Sequence, residues 1–416
     1  MTANASARRG NAALFIFVTV VLDSMGIGII MPVMPDLLQE LSGLTVGQAA
    51  LWGGYLSFTY AQMQFLFSPV LGGLSDRFGR RPVLLISLAL MSVDYLIMAF
   101  APTLTILFIG RVLAGLSGAT YSTATAYIAD VTPKEGRAKA FGLVGAGFGI
   151  GFILGPVVGG LMGEIGTRAP FYAAGALAFA NFAYGWFVLP ESLAPEKRRA
   201  FDWRRANPFG AFRQLAKVPM VAWLVGATFL YSLAHHVYPA VWSFYAKAAF
   251  QWTNAEIGLS LAAVGVGFAV VQGGLIGLIL KRLGEVRTVA TGLLLNVVGM
   301  LGLAFATHGW MAYALMPVTA LGAIVTPALT GLMANRVPDD AQGEMQGVLS
   351  SVQAVCSVIS PLVMTQVFGA FTTEGGPFFP GAPFLVAALL MVLAYLPFRV
   401  GLRQSPETDD SPANSG

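Results

Sequence analysis

The sequence predicts an all-α membrane protein in which twelve transmembrane helices form two related six-helix bundles. Three observations lead to this prediction. The composition is too apolar for a soluble chain, twelve apolar stretches are separated by loops whose charge alternates, and the two halves of the chain share residues at one fixed offset.

The composition limits the classes of protein to which the chain can belong. Of its 416 residues, 56% are hydrophobic and 11% are Asp, Glu, Lys or Arg, whereas a soluble chain has about 25% charged residues. A fold of this size lacks the interior for so many apolar side chains, and 24 basic with 20 acidic residues could not cover its surface. These figures exclude an ordinary soluble enzyme, a disordered chain and a nucleic-acid-binding protein.

The sequence also offers few residues that could bind a metal ion or a cofactor. The chain has one cysteine, Cys356, and three histidines, of which His235 and His236 point to different sides of a helix. No nucleotide-binding glycine loop of the P-loop type occurs. We therefore expect no metal site, no bound cofactor and no use of ATP.

Apolar stretches of membrane-spanning length recur along the chain. A helix needs about 20 apolar residues to cross a bilayer, and the stretches that meet this need are residues 12–34, 49–70, 83–101, 104–128, 139–163, 170–190, 219–243, 255–280, 288–306, 310–334, 344–370 and 381–400. The first is long, contains Asp23 and lacks a small-residue cleavage site, so we interpret it as a retained span rather than a signal peptide.

The distribution of basic residues predicts the orientation. Of 24 Lys and Arg residues, 21 lie on the side of the N-terminus, in the terminal segments and every second loop or at the adjoining ends of spans. Two, Arg168 and Lys247, lie in the other loops, and Arg111 lies inside the fourth stretch. Because cytoplasmic loops carry the basic excess, we expect both termini in the cytoplasm and the protein in a cell inner membrane.

The two halves are related by an offset of 205 residues. At this offset Ala129 falls on Ala334, Pro133 on Pro338, Gly142 on Gly347, Pro156 on Pro361, Arg77 on Arg282 and Gly79 on Gly284. We predict an N-terminal bundle over 1–190, a cytoplasmic basic linker over 191–218, a C-terminal bundle over 219–403 and a disordered tail over 404–416. Such halves place a substrate at the midplane between them. The linker is either a partly helical segment on an anionic leaflet or a plain tether.

Charged residues inside the spans are candidates for function. A charge at the bilayer centre costs on the order of 2.5–3.5 kcal/mol, and Asp23, Asp94 and Arg111 lie there. Asp23 and Asp94 are candidates for proton coupling, for contact with a cationic substrate, or for both. The alternative is that a carboxylate pairs with Arg111 only to hold helices together. His236 is a candidate for titration within the seventh span, or a neutral hydrogen-bonded imidazole.

Uncharged amides extend this set of candidates. They are Gln62 and Gln64 in the second span, Gln272 in the eighth and Asn296 in the ninth. Each could line a cavity, or could bond one helix to another.

The loop between the second and third spans has features of a gate. It reads GGLSDRFGRRPVLL from Gly72 to Leu85, with glycines at 73 and 79 that permit a sharp turn. Asp76, Arg80 and Arg81 can make charge contacts across the seam between the halves. Alternatively, the three arginines, which include Arg77, only anchor the loop in the cytoplasm.

The fifth span is rich in glycine. Gly147, Gly151, Gly155 and Gly159 recur every four residues, so they form one smooth helix face on which a second helix can pack closely. Pro156 is expected to bend this helix, and Gly160 follows the series.

These motifs resemble those of a known family. GGLSDRFGRRP is similar to the loop signature of the Major Facilitator Superfamily, and G-x3-G-P-x2-G-G from Gly151 to Gly160 is similar to the fifth-span signature of its proton-coupled exporters. LDSMGIGIIMPVMP (22–35), VDYLIMAF (93–100), GRVLAGLSGAT (110–120) and IADVTPKEGRAKAFG (128–142) resemble the tetracycline-efflux branch.

The resemblance implies roles for particular residues. It implies substrate handling by Asp23 and Asp94, a buried structural charge at Arg111, and a cytoplasmic gate made by Asp76, Arg80, Arg137 and Asp130. The tetracycline exporters carry a ninth-span aspartate and an eighth-span histidine, where this chain has Asn296 and Phe268. Because asparagine carries no proton, Asp23, Asp94 or His236 takes over coupling, or the exported compound differs.

The function expected is therefore export of an amphiphilic drug or metabolite, tetracycline included, in exchange for protons. The expected partners are that small molecule, protons and the lipid bilayer, and the family implies a monomer. Uptake or facilitated diffusion of a small nutrient is the first alternative, although the spans hold few of the amides and hydroxyls that line sugar sites. A non-transporting receptor or assembly factor is the second, and it has no use for the gating loop.

Overall fold

The fold is taken from a computed structural model of the chain. It describes residues 2–118, 120–203, 221–373, 375 and 377–403, with side chains from residue 14 onward except at 121, 134 and 138. The predicted tail over 404–416 and the linker from residue 204 onward lie outside the described residues. Their predicted disorder and helicity stay predictions.

Within the described residues, twelve helical spans follow one another, and each overlaps one predicted apolar stretch. Span 1 is Thr2–Ile30, followed by Met34–Ser42; span 2 is Val46–Phe78; span 3 is Arg80–Phe100; span 4 is Leu104–Ser117 and Thr120–Val131; span 5 is Arg137–Ile165; span 6 is Ala169–Val188. Span 7 is Ala222–His235 and Val237–Phe250; span 8 begins with Asn254–Val270; span 9 ends the helix Ile276–Ala304; span 10 is Gly309–Gly322 and Val325–Ala334; span 11 is Gln342–Ala370; span 12 is Ala382–Arg403.

Length and hydropathy support this count. Within the described residues, eight helices are long and apolar enough to cross a membrane, or nine if the pair bent by 49° after residue 30 is one span. One of them, residues 254–304, contains two spans because Gly284, with φ 69° and ψ 168°, breaks it. Span 2, which is rich in polar and aromatic side chains, and span 7, which is broken, complete the twelve.

Local sequence signals set the helix ends. Thr45 with Gln48 and Thr253 with Glu256 form capping boxes at the starts of spans 2 and 8, which satisfy backbone N–H groups that the first helical turn leaves free. Gly79 makes the tight turn between spans 2 and 3 with φ 107°. A side chain would strain this left-handed conformation.

The offset of 205 residues reappears as geometry. The breaks of spans 1 and 4 fall at the same relative positions as those of spans 7 and 10. At the start of span 5, Arg137 Nη2 donates to the Ala129 carbonyl at 3.0 Å, and at the start of span 11, Gln342 Nε2 donates to the Ala334 carbonyl at 2.7 Å. The two bundles are thus pseudo-symmetric, as predicted.

The halves touch at one end and separate at the other. We call the side that carries the loops after spans 2, 4, 6, 8 and 10 the terminal face, and the other side the opposite face. Near the opposite face, Gly160 of span 5 lies against the backbone of Asn254 in span 8. Toward the terminal face, positions 145 and 149 of span 5 and 273 and 277 of span 8 have no other atom within 4 Å of a Cβ built there. The space between the halves therefore opens to the terminal face.

Candidate functional site

A cavity of about 380 Å³ lies between the two halves. Spans 1 to 5 of the first half and spans 7 and 11 of the second line it. The breaks in spans 4 and 7 both lie at its wall, where Gly118, Thr120 and His236 face the space. Breaks at corresponding places in the two repeats, here spans 1 and 7 and spans 4 and 10, are typical of a transporter binding site.

Asp94 and Arg111 form an ion pair at the cavity wall. Arg111 Nη2 donates to Asp94 Oδ2, and the two residues are 8% and 1% exposed. The guanidinium carbon lies 5.7 Å from the centre of the Tyr60 ring. Asp94 Oδ1 and Arg111 Nε have no hydrogen-bond partner. The pair therefore cancels its own charge but keeps unused hydrogen-bonding groups beside the cavity.

Asp23 lines the same cavity from span 1. No described residue donates a hydrogen bond or forms a salt bridge to its carboxylate. Asp23 and Asp94, which are separate in sequence, therefore meet in one space but in different states. One carboxylate is paired with a cation, and the other is available to a proton or a ligand.

The second half contributes His236. Its Nδ1 lies 2.7 Å from the Ser232 carbonyl, so Nδ1 carries a hydrogen, and in the neutral imidazole Nε2 is an acceptor. His236 lines the cavity. The adjacent His235 instead stacks on Tyr231 at 5.6 Å within the second half. The two histidines diverge as predicted.

Gln64 has both of the roles considered for it. Its side chain lines the cavity, and Nε2 donates to the Gly118 carbonyl at 2.9 Å and to the Tyr60 hydroxyl at 3.2 Å. Residue 118 caps the first helix of span 4, where the last backbone carbonyls of a helix lack partners within it. Gln64 therefore stabilises the break in span 4 and gives polarity to the cavity wall.

The other three amides are not among the residues that line this cavity, so a lining role for them stays a prediction. Gln272 is exposed on a π-helical turn of span 8, and Gln62 is not among the lining residues. Asn296 is fully buried, and its Nδ2 donates at 2.8 Å to the carbonyls of Gly292 and Gly322. Asn296 thus bonds span 9 to span 10.

The loop between spans 2 and 3 is held by ion pairs within the first half. Arg80 contacts Asp76 at 2.6 Å and Asp130 at 3.2 Å, and Arg81 Nη2 donates to the Trp186 carbonyl at 2.7 Å. Among the described residues, Arg80 and Arg81 make none of the expected contacts across the seam. The reason is that the halves are apart at the terminal face in this conformation.

Sequence reasoning missed Glu191 as part of this loop. Its carboxylate accepts the backbone N–H groups of Arg80 at 2.9 Å and Arg81 at 3.3 Å, and it fills the space beside Gly79 that a side chain there would need. Phe201, also in the linker, lies 2.9 Å from the Cβ position of Gly73. No spacing in the sequence indicates this pairing, because the partners are more than 100 residues apart.

The glycines of span 5 serve two neighbours. A Cβ at Gly147, Gly151, Gly155 or Gly159 would meet span 1, mostly its backbone, as the four-residue spacing predicts for one smooth face. Gly160 faces the start of span 8, and the Pro156 carbonyl lies where a Cβ of Gly258 would be. Span 5 therefore joins the first half to the second at the cavity.

Comparison with known proteins decides the family. Residues 16–361 and 224–415 match the sequence profile of the Major Facilitator Superfamily. The chain belongs to this superfamily. It is therefore a membrane transport protein rather than an enzyme, and the resemblance in its motifs extends to the whole fold.

Particular relatives and structures give the same result. The chain is 42% identical to the class C tetracycline resistance protein of Escherichia coli over 394 residues, which cover 95% of this chain and 98% of that protein. It is 40% identical to the class G tetracycline resistance protein of Vibrio anguillarum, covering 92% and 96%. A bacterial homologue of the human lysosomal transporter Spinster, solved inward-facing and unoccupied, superposes with a TM-score of 0.77 at 16% identity, covering 95% and 97%. The last similarity shows the fold alone.

Proposed function

We propose that this superfamily member exports an amphiphilic compound, with tetracycline as the first candidate, in exchange for protons by alternating access. The observation that carries the proposal is the cavity between the halves, where the unpaired Asp23 and the Asp94–Arg111 pair meet. Tetracycline is chosen because the relatives that match almost the whole chain are tetracycline resistance proteins.

The cavity wall suits an amphiphile. Phe148, Phe152 and Phe244 supply aromatic surface, while the charged groups lie in the first half. Pockets for small organic ligands combine this kind of apolar lining with a few placed polar groups. Sugar-like nutrients would need more amides and hydroxyls, so we place export ahead of nutrient uptake.

The residues that couple transport to protons line the cavity and do not lie in span 9. Asp23 takes up and releases a proton, because its carboxylate has no bound cation and faces the space that alternates between the two faces. Asp94 keeps its charge while Arg111 remains paired with it, and changes when substrate or proton disturbs the pair. His236 Nε2 is the acceptor in the second half. Asn296 has no part in coupling.

The remaining assignments follow from orientation. We propose that the terminal face is cytoplasmic, that the protein is a monomer in the inner membrane, and that residues 1–190 and 219–403 move as two bodies joined by 191–218. The basic residues near the terminal face support this orientation. Asp76, Arg77, Arg80, Arg81, Asp130 and Arg137, with the turn glycines 73 and 79, then form the cytoplasmic gate.

A drug-susceptibility panel in an efflux-deficient host tests the proposal. Wild type should raise the inhibitory concentration of at least tetracycline, and Asp23→Asn or Asp94→Asn should remove most of this increase at an equal amount of protein in the membrane. Gln272→Ala is the matched control, because Gln272 lies outside the cavity, and it should behave as wild type. Resistance to no compound in the panel, or full resistance with both Asp variants, would show the proposal to be wrong.

A further inference from the structure

We propose that Asp36, Lys247 and Asn254 form a latch that closes the opposite face of the protein and opens once in each transport cycle. This inference rests on the proposed alternating access, and it assigns a place where the two halves must come apart. None of the three residues lines the cavity.

The latch joins the two halves through both oxygens of one carboxylate. Asp36 lies in the first turn of the short helix Met34–Ser42, which follows span 1. Its Oδ1 lies 2.8 Å from Lys247 Nζ near the end of span 7. Its Oδ2 accepts a hydrogen bond of 2.7 Å from Asn254 Nδ2 at the start of span 8. Every donor comes from the second half, and the acceptor comes from the first.

A second carboxylate of the first half adds to this contact. Glu164, near the end of span 5, accepts the backbone N–H of Ala255 at 3.0 Å. Ala255 lies in the first turn of span 8, where N–H groups lack helical partners and negative charge is favoured. The start of span 8 is thus held by Asp36 and Glu164 together.

The second seam on this face is uncharged. Between spans 2 and 11, Thr372 lies against Gly47, Leu51 lies against Gly369, and Gln366 Nε2 donates to the Tyr55 hydroxyl at 2.9 Å. On the opposite face, within the part of the chain that the structure describes, Asp36–Lys247 is the ion pair that joins the halves. The charged seam is therefore the one that a change of charge would weaken.

Partial exposure makes the pair suitable for repeated opening. The side chains of Lys247 and Asp36 are 15% and 29% exposed, so the bond is sheltered when closed, yet both charges can be hydrated when the seam separates. A fully buried ion pair would resist separation because each ion would be left without a partner in a dry interior. Apolar contacts are not directional, so an apolar seam would not fix the two halves in one closed arrangement.

The opposite face also contains a matched control. Arg168 Nε lies 3.1 Å from Glu40 Oε1, and Arg168 Nη1 donates to the carbonyls of Ala99 and Ala101 at 2.9 Å. This ion pair has the same residue classes and is more exposed, at 24% for Arg168 and 47% for Glu40, and all its partners belong to the first half. Removing it should not change the separation of the halves.

Pulsed electron paramagnetic resonance on the full chain in lipid nanodiscs tests the latch without any substrate. Spin labels on Thr103→Cys and Thr307→Cys, in a Cys356→Ser background, report the distance between exposed loops of the two halves on the opposite face. We expect the population at the longer distance to rise roughly 3- to 10-fold in Asp36→Asn and in Lys247→Met. Glu40→Gln should leave the distribution as in the parent.

The double variant makes the test specific. If the two residues act as one pair, Asp36→Asn with Lys247→Met shifts the population no further than the larger single change, and exchange of the charges in Asp36→Lys with Lys247→Asp restores part of the closed population. Unchanged distances in the single variants, or single effects that multiply in the double variant, would overturn the latch. Asn254→Ala, which keeps both charges, should shift the population less than Asp36→Asn. The measured distance distributions do not depend on export, so failure of the latch and failure of the proposed function are distinguishable.

Discussion

Substitution of Gly155 by alanine tests the packing of span 5 on span 1. A Cβ at position 155 would lie 2.9 Å from Gly28 Cα and 3.1 Å from the backbone N of Ile29, and would also press on the Met25 carbonyl oxygen. These are backbone atoms, so no rotation of a side chain relieves the contact. The two helices would have to separate, and such overpacking costs about 1–3 kcal/mol.

Gly149→Ala is the matched control in the same helix. Position 149 has no other atom within 4 Å of its Cβ site. Both substitutions gain the same helix propensity, about 1 kcal/mol for alanine over glycine, so this contribution cancels when the two variants are compared. Gly155→Ala should therefore be less stable than Gly149→Ala by about 1–3 kcal/mol.

Denaturant unfolding of the purified variants in one detergent measures this difference. The free energy of unfolding should fall in the order Gly149→Ala, then Gly155→Ala, with the amount of folded protein in the membrane following the same order. Equal stability of the two variants would refute the inference that the glycine face of span 5 packs directly against the backbone of span 1.

Two further predictions concern residues outside the cavity. Glu191→Ala removes the acceptor for two N–H groups at the start of span 3 and should lower the free energy of unfolding by about 1 kcal/mol, as loss of a helix cap does. Glu191→Gln should lower it less. Thermal unfolding of both variants checks this order, and equal losses of stability would count against the capping role. Asn296→Ala leaves the Gly292 and Gly322 carbonyls without their side-chain donor and should cost about 1–3 kcal/mol. Export per folded molecule should stay as in wild type, and a selective loss of export would instead place Asn296 in the coupling path.

The fold was predictable because its causes are local or periodic. Apolar length fixes each span, basic residues mark alternate loops, and the offset of 205 residues reappears in the positive-φ turns at Gly79 and Gly284. The predicted stretches missed the breaks in spans 1, 4, 7 and 10. Hydropathy does not report these breaks, because an average over about 20 residues extends across each short interruption of the helix.

The site was predictable only in part. The three charged residues Asp23, Asp94 and Arg111 were identifiable because a charged side chain inside a membrane span is energetically costly and is therefore a candidate for function. Asn296 and Gln64 could not be separated, because an amide bonds as well to a neighbouring backbone carbonyl as to a ligand, and only the position of the next helix decides between them. Glu191 and Asp36 lie in loops or short helices where acidic residues are ordinary, so their partners emerge only from the fold.

Uptake of labelled tetracycline into inverted membrane vesicles, driven by an imposed pH gradient, tests the central claim most directly. With the terminal face outward and the interior acidic, we predict accumulation by wild type that nigericin abolishes when it collapses the gradient, and no accumulation by Asp23→Asn. Accumulation that is unchanged after the gradient has been collapsed would contradict proton exchange through this cavity.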